Sequence, residues 1–127
     1  MSNILLISNS SKFSGGIISE LSAKMNVNLF KYDLSALSDF VNENKTDLIL
    51  MHFYNLSNND IICFHKILTG KAFANMPKVF LGDEISYRDH VSTWGGNFTG
   101  VILTPIVLSD LRNKIEQFLD SKSAPVA

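Results

Sequence analysis

The sequence has few of the features that mark disulfide-rich, nucleic-acid-binding or membrane proteins. Cys63 is the single cysteine, so neither a disulfide framework nor a cysteine metal site can form, and a reducing compartment is indicated. Eleven basic and twelve acidic residues give a formal net charge of -1, which lacks the positive potential that attracts DNA or RNA. No apolar run approaches the ~18 residues needed to cross a bilayer, and no secretory signal opens the chain. We therefore expect a cytoplasmic protein that binds neither nucleic acid nor membrane.

The pattern of apolar residues predicts an α/β domain. The chain has 127 residues, of which 46% are hydrophobic, enough for one self-sufficient core. Short β-rich runs alternate with stretches of helical periodicity, as in βαβ units around a parallel sheet. The five predicted strands are Ile4 to Ile7, Val27 to Tyr32, Leu48 to Phe53, Val79 to Leu81 and Val101 to Leu103. This length and right-handed crossovers favour a three-layer αβα sandwich with the flavodoxin-like strand order 2-1-3-4-5.

Four apolar stripes with helical spacing lie between and after these strands. Their residues are Ile17, Ile18, Leu21 and Met25; Leu37, Phe40 and Val41; Ile61, Phe64, Ile67 and Leu68; and Leu108, Leu111, Ile115, Phe118 and Leu119. Ser14 is the predicted N-cap of the first helix, and Cys63 is expected to be buried in the third. The segment from Glu84 to Thr93 is polar, so it predicts a short or irregular fourth helix. Residues 1–121 form the predicted domain, and 122–127 a tail or linker.

Two segments at strand ends resemble the response-regulator receiver family. Asp47-Leu48-Ile49-Leu50-Met51-His52 is similar to the third strand of a receiver, and Gly100-Val101-Ile102-Leu103-Thr104-Pro105 to its fifth strand. The resemblance covers roughly residues 3–121 and rests on the spacing of the strand ends and on one proline. It implies the flavodoxin-like fold and a place in two-component signalling.

The resemblance also implies that the phosphoacceptor pocket has lost its acidic residues. Ser8 and Asn9 stand where receivers carry the acidic pair that binds a metal ion, and His52 stands at the position of the phosphoacceptor aspartate. A receiver needs clustered carboxylates because Mg²⁺ prefers hard oxygen ligands. We therefore expect no metal site and no cofactor.

Three further positions of the pocket also lack the residue that the family carries there. Gly82 replaces a threonine or serine hydroxyl, and Thr104 replaces a lysine. Pro105 remains, and the resemblance implies a cis peptide bond before it. Val101 occupies the position of the family's aromatic switch residue. The departures at Gly82, Thr104 and Val101 complete the expectation of a pocket without phosphoryl-transfer chemistry.

The expected function is that of a pseudo-receiver. It would be a non-catalytic signalling domain that acts by protein–protein contact or dimerisation, as the regulatory part of a bacterial response regulator or another transcription regulator. The resemblance places the contact on the face formed by the fourth helix, the fifth strand and the last helix. Tyr87, Trp94 and Phe98 are the candidate interface residues, because exposed aromatic side chains often anchor interfaces.

Several alternatives stay open at the level of sequence. The segment from Ser8 to Gly16 is rich in hydroxyls and glycine before a helix, so a flavodoxin-like protein could bind flavin or another small ligand there. His52 is either a locally hydrogen-bonded polar residue or a phosphohistidine, pH-sensitive group or metal ligand. His65 and His90 are expected to be surface or cap residues. Asp83 and Glu84 are expected to cap a helix rather than act as a catalytic pair.

Overall fold

The fold is a five-stranded parallel sheet covered by helices on both faces. A computed structural model describes residues 2–8, 11–31, 37, 39, 41, 45–52, 57–70, 73, 75–94 and 98–123. Its elements are β1 (Asn3–Ser8), α1 (Ser11–Leu21), β2 (Asn26–Lys31), β3 (Leu48–His52), α2 (Asn58–Leu68), β4 (Lys78–Gly82), α3 (Glu84–Trp94), β5 (Gly100–Leu103) and α4 (Leu108–Ser123).

The strands pair in the order β2-β1-β3-β4-β5, all in parallel. This order confirms the predicted fold class. The register pairs Ser8 with His52, His52 with Leu81, and Gly82 with Leu103. Since parallel strands end at the same side of a sheet, these residues define one carboxyl edge.

The core lies in two layers, one on each face of the sheet. Ile4 and Leu6 of β1 belong to a cluster that includes buried residues of α1 and α4. Leu5 and Ile7 belong to the opposite cluster, which includes Phe64 of α2. Successive side chains of a strand point to opposite faces. A continuously apolar strand is therefore the pattern that a sheet buried on both sides requires.

The first helix differs from its prediction at both ends. It begins at Ser11, so Ser14, Gly15 and Gly16 lie within the helix and Ser14 is not its N-cap. Ser14 is only 3% exposed. The helix ends at Leu21, and Met25 is nevertheless buried in the turn that follows. The prediction was wrong because paired glycines usually mark a loop, whereas here both lie inside the helix despite their low helix propensity.

The remaining helices give two further corrections. Cys63 is exposed rather than buried, because the buried stripe of α2 consists of Ile61, Phe64, His65 and Leu68, which leaves Cys63 on the outer face. The segment predicted to be short or irregular is α3, a helix of 11 residues.

Four predicted segments lie partly outside the described residues. The second predicted strand ends at Tyr32 and the third at Phe53, and neither residue is described. In the second predicted helix, Leu37 and Val41 are helical and buried, while Phe40 is not described. At the C-terminus, α4 continues to Ser123, two residues past the predicted boundary at 121, and residues 124–127 are not described. Among the described residues, no helix is long and apolar enough to cross a membrane.

A close approach between β5 and α4 requires glycine at position 100. A Cβ atom built on Gly100 would overlap the ring of Phe118, whereas one built on Gly15 meets nothing within 4 Å. Gly100 thus lets α4 pack directly against the edge strand, and Gly15 has no such role.

We expect Gly100→Ala to lower the free energy of unfolding by about 1 to 3 kcal/mol, because the ring of Phe118 or the helix must move. The control Gly15→Ala should raise it by about 0.5 to 1 kcal/mol, since alanine costs less entropy in a helix. Urea unfolding measures both. Equal effects of the two substitutions would contradict this account of Gly100.

Candidate functional site

Ser8 and His52 form the buried centre of the carboxyl edge. They end β1 and β3, and the register places them opposite each other. The Ser8 hydroxyl and Nδ1 of His52 are 3.5 Å apart, which is long for a hydrogen bond. Exposure is 2% for Ser8 and 9% for His52. Burial lowers the pKa of His52, so its imidazole is neutral at pH 7.

A cavity of about 600 Å³ opens beside these strand ends. The described residues that line it are Gly16, Ile17, His52, Leu81, Asp83, Thr104, Pro105, Ile106, Leu108 and Leu111. The peptide bond between Thr104 and Pro105 is cis, as the resemblance implied. The backbone amide of Thr104 donates to the carbonyl of Gly82, 2.9 Å away, which ties the turn after β5 to the end of β4.

The structure brings together most of the predicted pocket residues. His52, Thr104 and Pro105 line the cavity, Ser8 lies beside His52, and Gly82 is buried at the end of β4. Asn9 lies outside the described residues. The sequence did not indicate the aliphatic part of the cavity, because α1, β4, α4 and the turn before α4 supply it and only the fold brings them together.

The cavity is poor in groups that could hold a metal ion. Asp83 is the only carboxylate among the described residues that line it. Its Oδ1 already accepts a hydrogen bond of 2.7 Å from the Ser86 amide, so Asp83 caps α3 as expected. Glu84 forms an exposed ion pair with Arg88. In the part of the chain that is described, no three His, Cys, Asp or Glu side chains are grouped as metal ligands.

The segment from Ser8 to Gly16 does not form the extended loop that the flavin alternative requires. Residues from Ser11 onward belong to α1, which leaves only Asn9 and Ser10, both outside the described residues, between strand and helix. Two of the four serine hydroxyls, those of Ser11 and Ser14, and both glycines therefore lie within the helix. The flavin-binding alternative is therefore left without a glycine-containing loop before the helix.

His65 and His90 form a second polar centre, between α2 and α3. Nε2 of His65 lies 2.8 Å from Nδ1 of His90, and the two rings meet edge to face at 5.0 Å. The residues are 0% and 2% exposed, so the expectation of surface or cap histidines was wrong. The spacing of His65 from Ile61 and Leu68 was the one available signal, because it places His65 on the apolar stripe of α2.

Aromatic side chains surround this histidine pair. Phe98 lies 5.5 Å from His65, and Phe80 lies 5.2 Å from His90, measured between ring centroids. Tyr87 packs 5.6 Å from Phe80. Tyr87 and Phe98, both candidate interface residues, thus help to enclose the pair. The side chain of Trp94, the third candidate, lies outside the described part of the chain.

The environment of the pair keeps both rings uncharged at pH 7. Burial, with a further contribution from His90, lowers the pKa of His65 to about 3. Burial lowers the pKa of His90 to about 4, although the nearby Asp89 opposes the change. A neutral imidazole has one donor and one acceptor nitrogen, so one ring can donate to the other.

Comparisons with known proteins support the fold. The chain is similar to a two-component response regulator from Clostridium difficile, with 19% identity, a TM-score of 0.67, and coverage of 98% of this chain and 100% of that one. It is also similar to a response regulator receiver modulated diguanylate cyclase from Pelobacter carbinolicus, with 18% identity, a TM-score of 0.73, and coverage of 97% and 96%. At these identities the likeness establishes the receiver fold.

A third structure belongs to a family of redox sensors in the streptococci that evolved from two-component response regulators. The identity is 14% and the TM-score 0.75, with coverage of 100% of this chain and 57% of that one. No protein-family model matches the sequence, and no curated protein is significantly similar to it.

The buried histidine pair predicts a loss of stability in acid. Both pKa values lie below the ordinary 6.5, so the unfolded chain binds more protons than the folded one as the pH falls below about 6.5. The contribution of the pair to the free energy of unfolding is complete above that pH. It is lost by about 1.4 kcal/mol per pH unit for each histidine, as the pH falls towards about 4 for His90 and about 3 for His65.

The double variant His65→Gln with His90→Gln removes both titrating groups. We expect the free energy of unfolding to depend less on pH between 6.5 and 5 in this variant than in the wild type, because neither glutamine gains a proton. Urea unfolding at several pH values measures the slope. An unchanged slope would show that the pair does not govern the acid response.

Proposed function

We propose that this chain is a receiver-like signalling domain that acts through protein contact and does not accept a phosphoryl group by the aspartate–magnesium route. The observation that carries the proposal is His52, which ends β3, lines the cavity and is buried next to Ser8. In receivers a carboxylate occupies this position, as the resemblance implies. The structural likeness to response regulators supports the signalling role.

The chemistry of the cavity argues against phosphoryl transfer. Transfer to a receiver requires a nucleophilic carboxylate and oxygen ligands for Mg²⁺. Asp83 is the one carboxylate among the described lining residues, and it caps α3. Thr104 lines the cavity at the position of the family's lysine, and its hydroxyl provides no positive charge for a phosphorylated product. The domain is therefore not expected to be an enzyme.

We expect no change in intact mass when the protein is incubated with acetyl phosphate and Mg²⁺. The variant His52→Asp should also stay unmodified, because restoring one carboxylate restores neither the metal ligands nor the cation. A receiver with a complete pocket is the positive control. Mass measured at neutral pH also detects acid-labile phosphohistidine, and one added phosphoryl group on the wild type would refute the proposal.

The α3–β5–α4 face is the surface that the proposal assigns to protein contact. Ile85 on α3, Leu103 at the end of β5 and Val107 before α4 are 73%, 45% and 65% exposed. In the described sheet, β5 is an edge strand. Gly82 of β4 pairs with Leu103 of β5, so the start of α3 lies near the end of β5. Exposed apolar side chains that share one face favour an interaction site.

The interface candidates predicted from the sequence are reassigned within this proposal. Phe98 packs against His65 and Tyr87 against Phe80, so the proposal assigns the contact to the aliphatic residues, which are more exposed. Trp94 stays a candidate from its sequence position alone.

Self-association tests this surface. We expect the double variant Leu103→Lys with Val107→Lys to sediment as a monomer at concentrations where the wild type forms dimers, since lysine opposes burial in an apolar interface. Ile62→Lys is the matched control, because Ile62 on α2 is 48% exposed but lies away from β5. A wild type that stays monomeric, or equal effects of both changes, would contradict dimerisation through this face.

A further inference from the structure

The cavity at the carboxyl edge has a property that the proposed function does not use, namely its aliphatic wall. Its apolar lining residues are Ile17, Leu81, Pro105, Ile106, Leu108 and Leu111. They come from two helices on the same face of the sheet, from β4, and from the turn between β5 and α4. A volume of about 600 Å³ falls within the ~300 to 1,000 Å³ of small-molecule sites.

The polar lining residues come from the ends of three neighbouring strands. His52 is the last residue of β3, Asp83 follows β4, and Thr104 follows β5. The strands are paired in register, so these side chains belong to the sheet edge, whereas the helices and the turn supply most of the apolar wall. A cavity with polar groups at one end and an apolar wall elsewhere orients a ligand that has one polar group.

The polar groups favour ligands that donate hydrogen bonds. Asp83 carries the only formal charge among the described lining residues, and it is negative. A carboxylate and a hydroxyl accept hydrogen bonds readily, and a carboxylate attracts a cation. An anionic ligand would meet the like charge of Asp83 without a lysine or arginine among the described lining residues to offset it.

From this arrangement we propose that the cavity binds a small molecule with an apolar body and a neutral or cationic hydrogen-bond-donating head. The body lies against Ile17, Leu108 and Leu111, and the head lies at Asp83 and Thr104. This site is distinct from the predicted loop between Ser8 and Gly16. It does not depend on how the domain contacts a partner, since the argument uses only the cavity and its lining.

Two adjacent glycines of α1 provide a matched pair of variants. Gly16 lines the cavity, and a Cβ built on it lies 3.7 Å from Cδ1 of Leu108. A larger side chain at Gly16 therefore enters the space between α1 and α4. A Cβ built on Gly15 has nothing within 4 Å, so the same side chain there meets open space. Both substitutions change helix propensity by similar amounts.

Three probes that share a phenyl ring and differ in their polar group test the ligand class. They are 2-phenylethanol, 2-phenylethylamine and phenylacetate. Binding is measured on the full chain by chemical-shift changes of backbone amides. We expect the alcohol and the amine to shift the signals of residues 81–83, 104 and 106–108, and phenylacetate to bind at least about tenfold more weakly because of repulsion by Asp83.

Gly16→Leu should weaken binding of the alcohol at least about tenfold, and Gly15→Leu should leave it unchanged, because only the first fills the cavity. Asp83→Asn keeps a residue that caps helices well, so the fold is retained. This variant should remove the preference for amine over phenylacetate while the alcohol still binds.

Three results would overturn the assignment. The first is the absence of specific shifts with both the alcohol and the amine up to their solubility limits. The second is phenylacetate binding as tightly as the amine to the wild type. The third is equal binding by the two glycine variants, provided that both give the dispersed spectrum of a folded protein. None of these results bears on phosphorylation or on dimerisation, so the two proposals fail independently.

Discussion

The parallel pairing of β1, β3, β4 and β5 is the constraint on which the rest of the structure depends. Parallel strands need crossover helices, and these bury both faces of the sheet. All chain segments that leave the sheet towards one side therefore meet at a single edge. Ser8, His52, Gly82 and Thr104 are far apart in sequence, yet the register places them within one small region. The strand topology, rather than any one side chain, therefore determines which residues form the site.

The histidine pair shows how the same layered packing tolerates polar groups. His65 and His90 are almost fully buried, and an imidazole buried without a partner would cost free energy. Each provides a partner for the other across the interface of α2 and α3. Burial favours the neutral form of both rings, and neutrality permits the contact, because two imidazolium rings would repel each other and would have only donor nitrogens. The aromatic enclosure and the protonation state therefore support one another.

The sequence predicted what depends on local periodicity and missed what depends on packing between elements. Continuously apolar runs such as Leu48–Met51 are sufficient to place buried strands, whereas Ser8 and His52 were assigned to one pocket through the resemblance to receivers and not through the predicted strand ends. The apolar stripe of α2 indicated the burial of His65, but its partner His90 could not be identified without α3. The helical state of Gly15 and Gly16 opposes their local preference, and the exposure of Cys63 depends on which face of α2 meets the sheet. The apolar wall of the cavity could not be predicted, because α1 and α4 lie about ninety residues apart in the chain and spacing carries no information about their contact.

The cavity and the exposed face meet at the start of α4. Leu108 lines the cavity and is also 41% exposed, next to Val107. A bound molecule at Leu108 and Leu111 would touch the helix that carries part of the proposed contact face. A ligand in contact with α4 would regulate partner binding only if it bound more tightly to one of two positions of α4. A ligand with equal affinity for both positions leaves their populations unchanged. In the proposed scheme the pocket takes no phosphoryl group, and Leu108 is the residue through which a ligand in the cavity would reach the contact face.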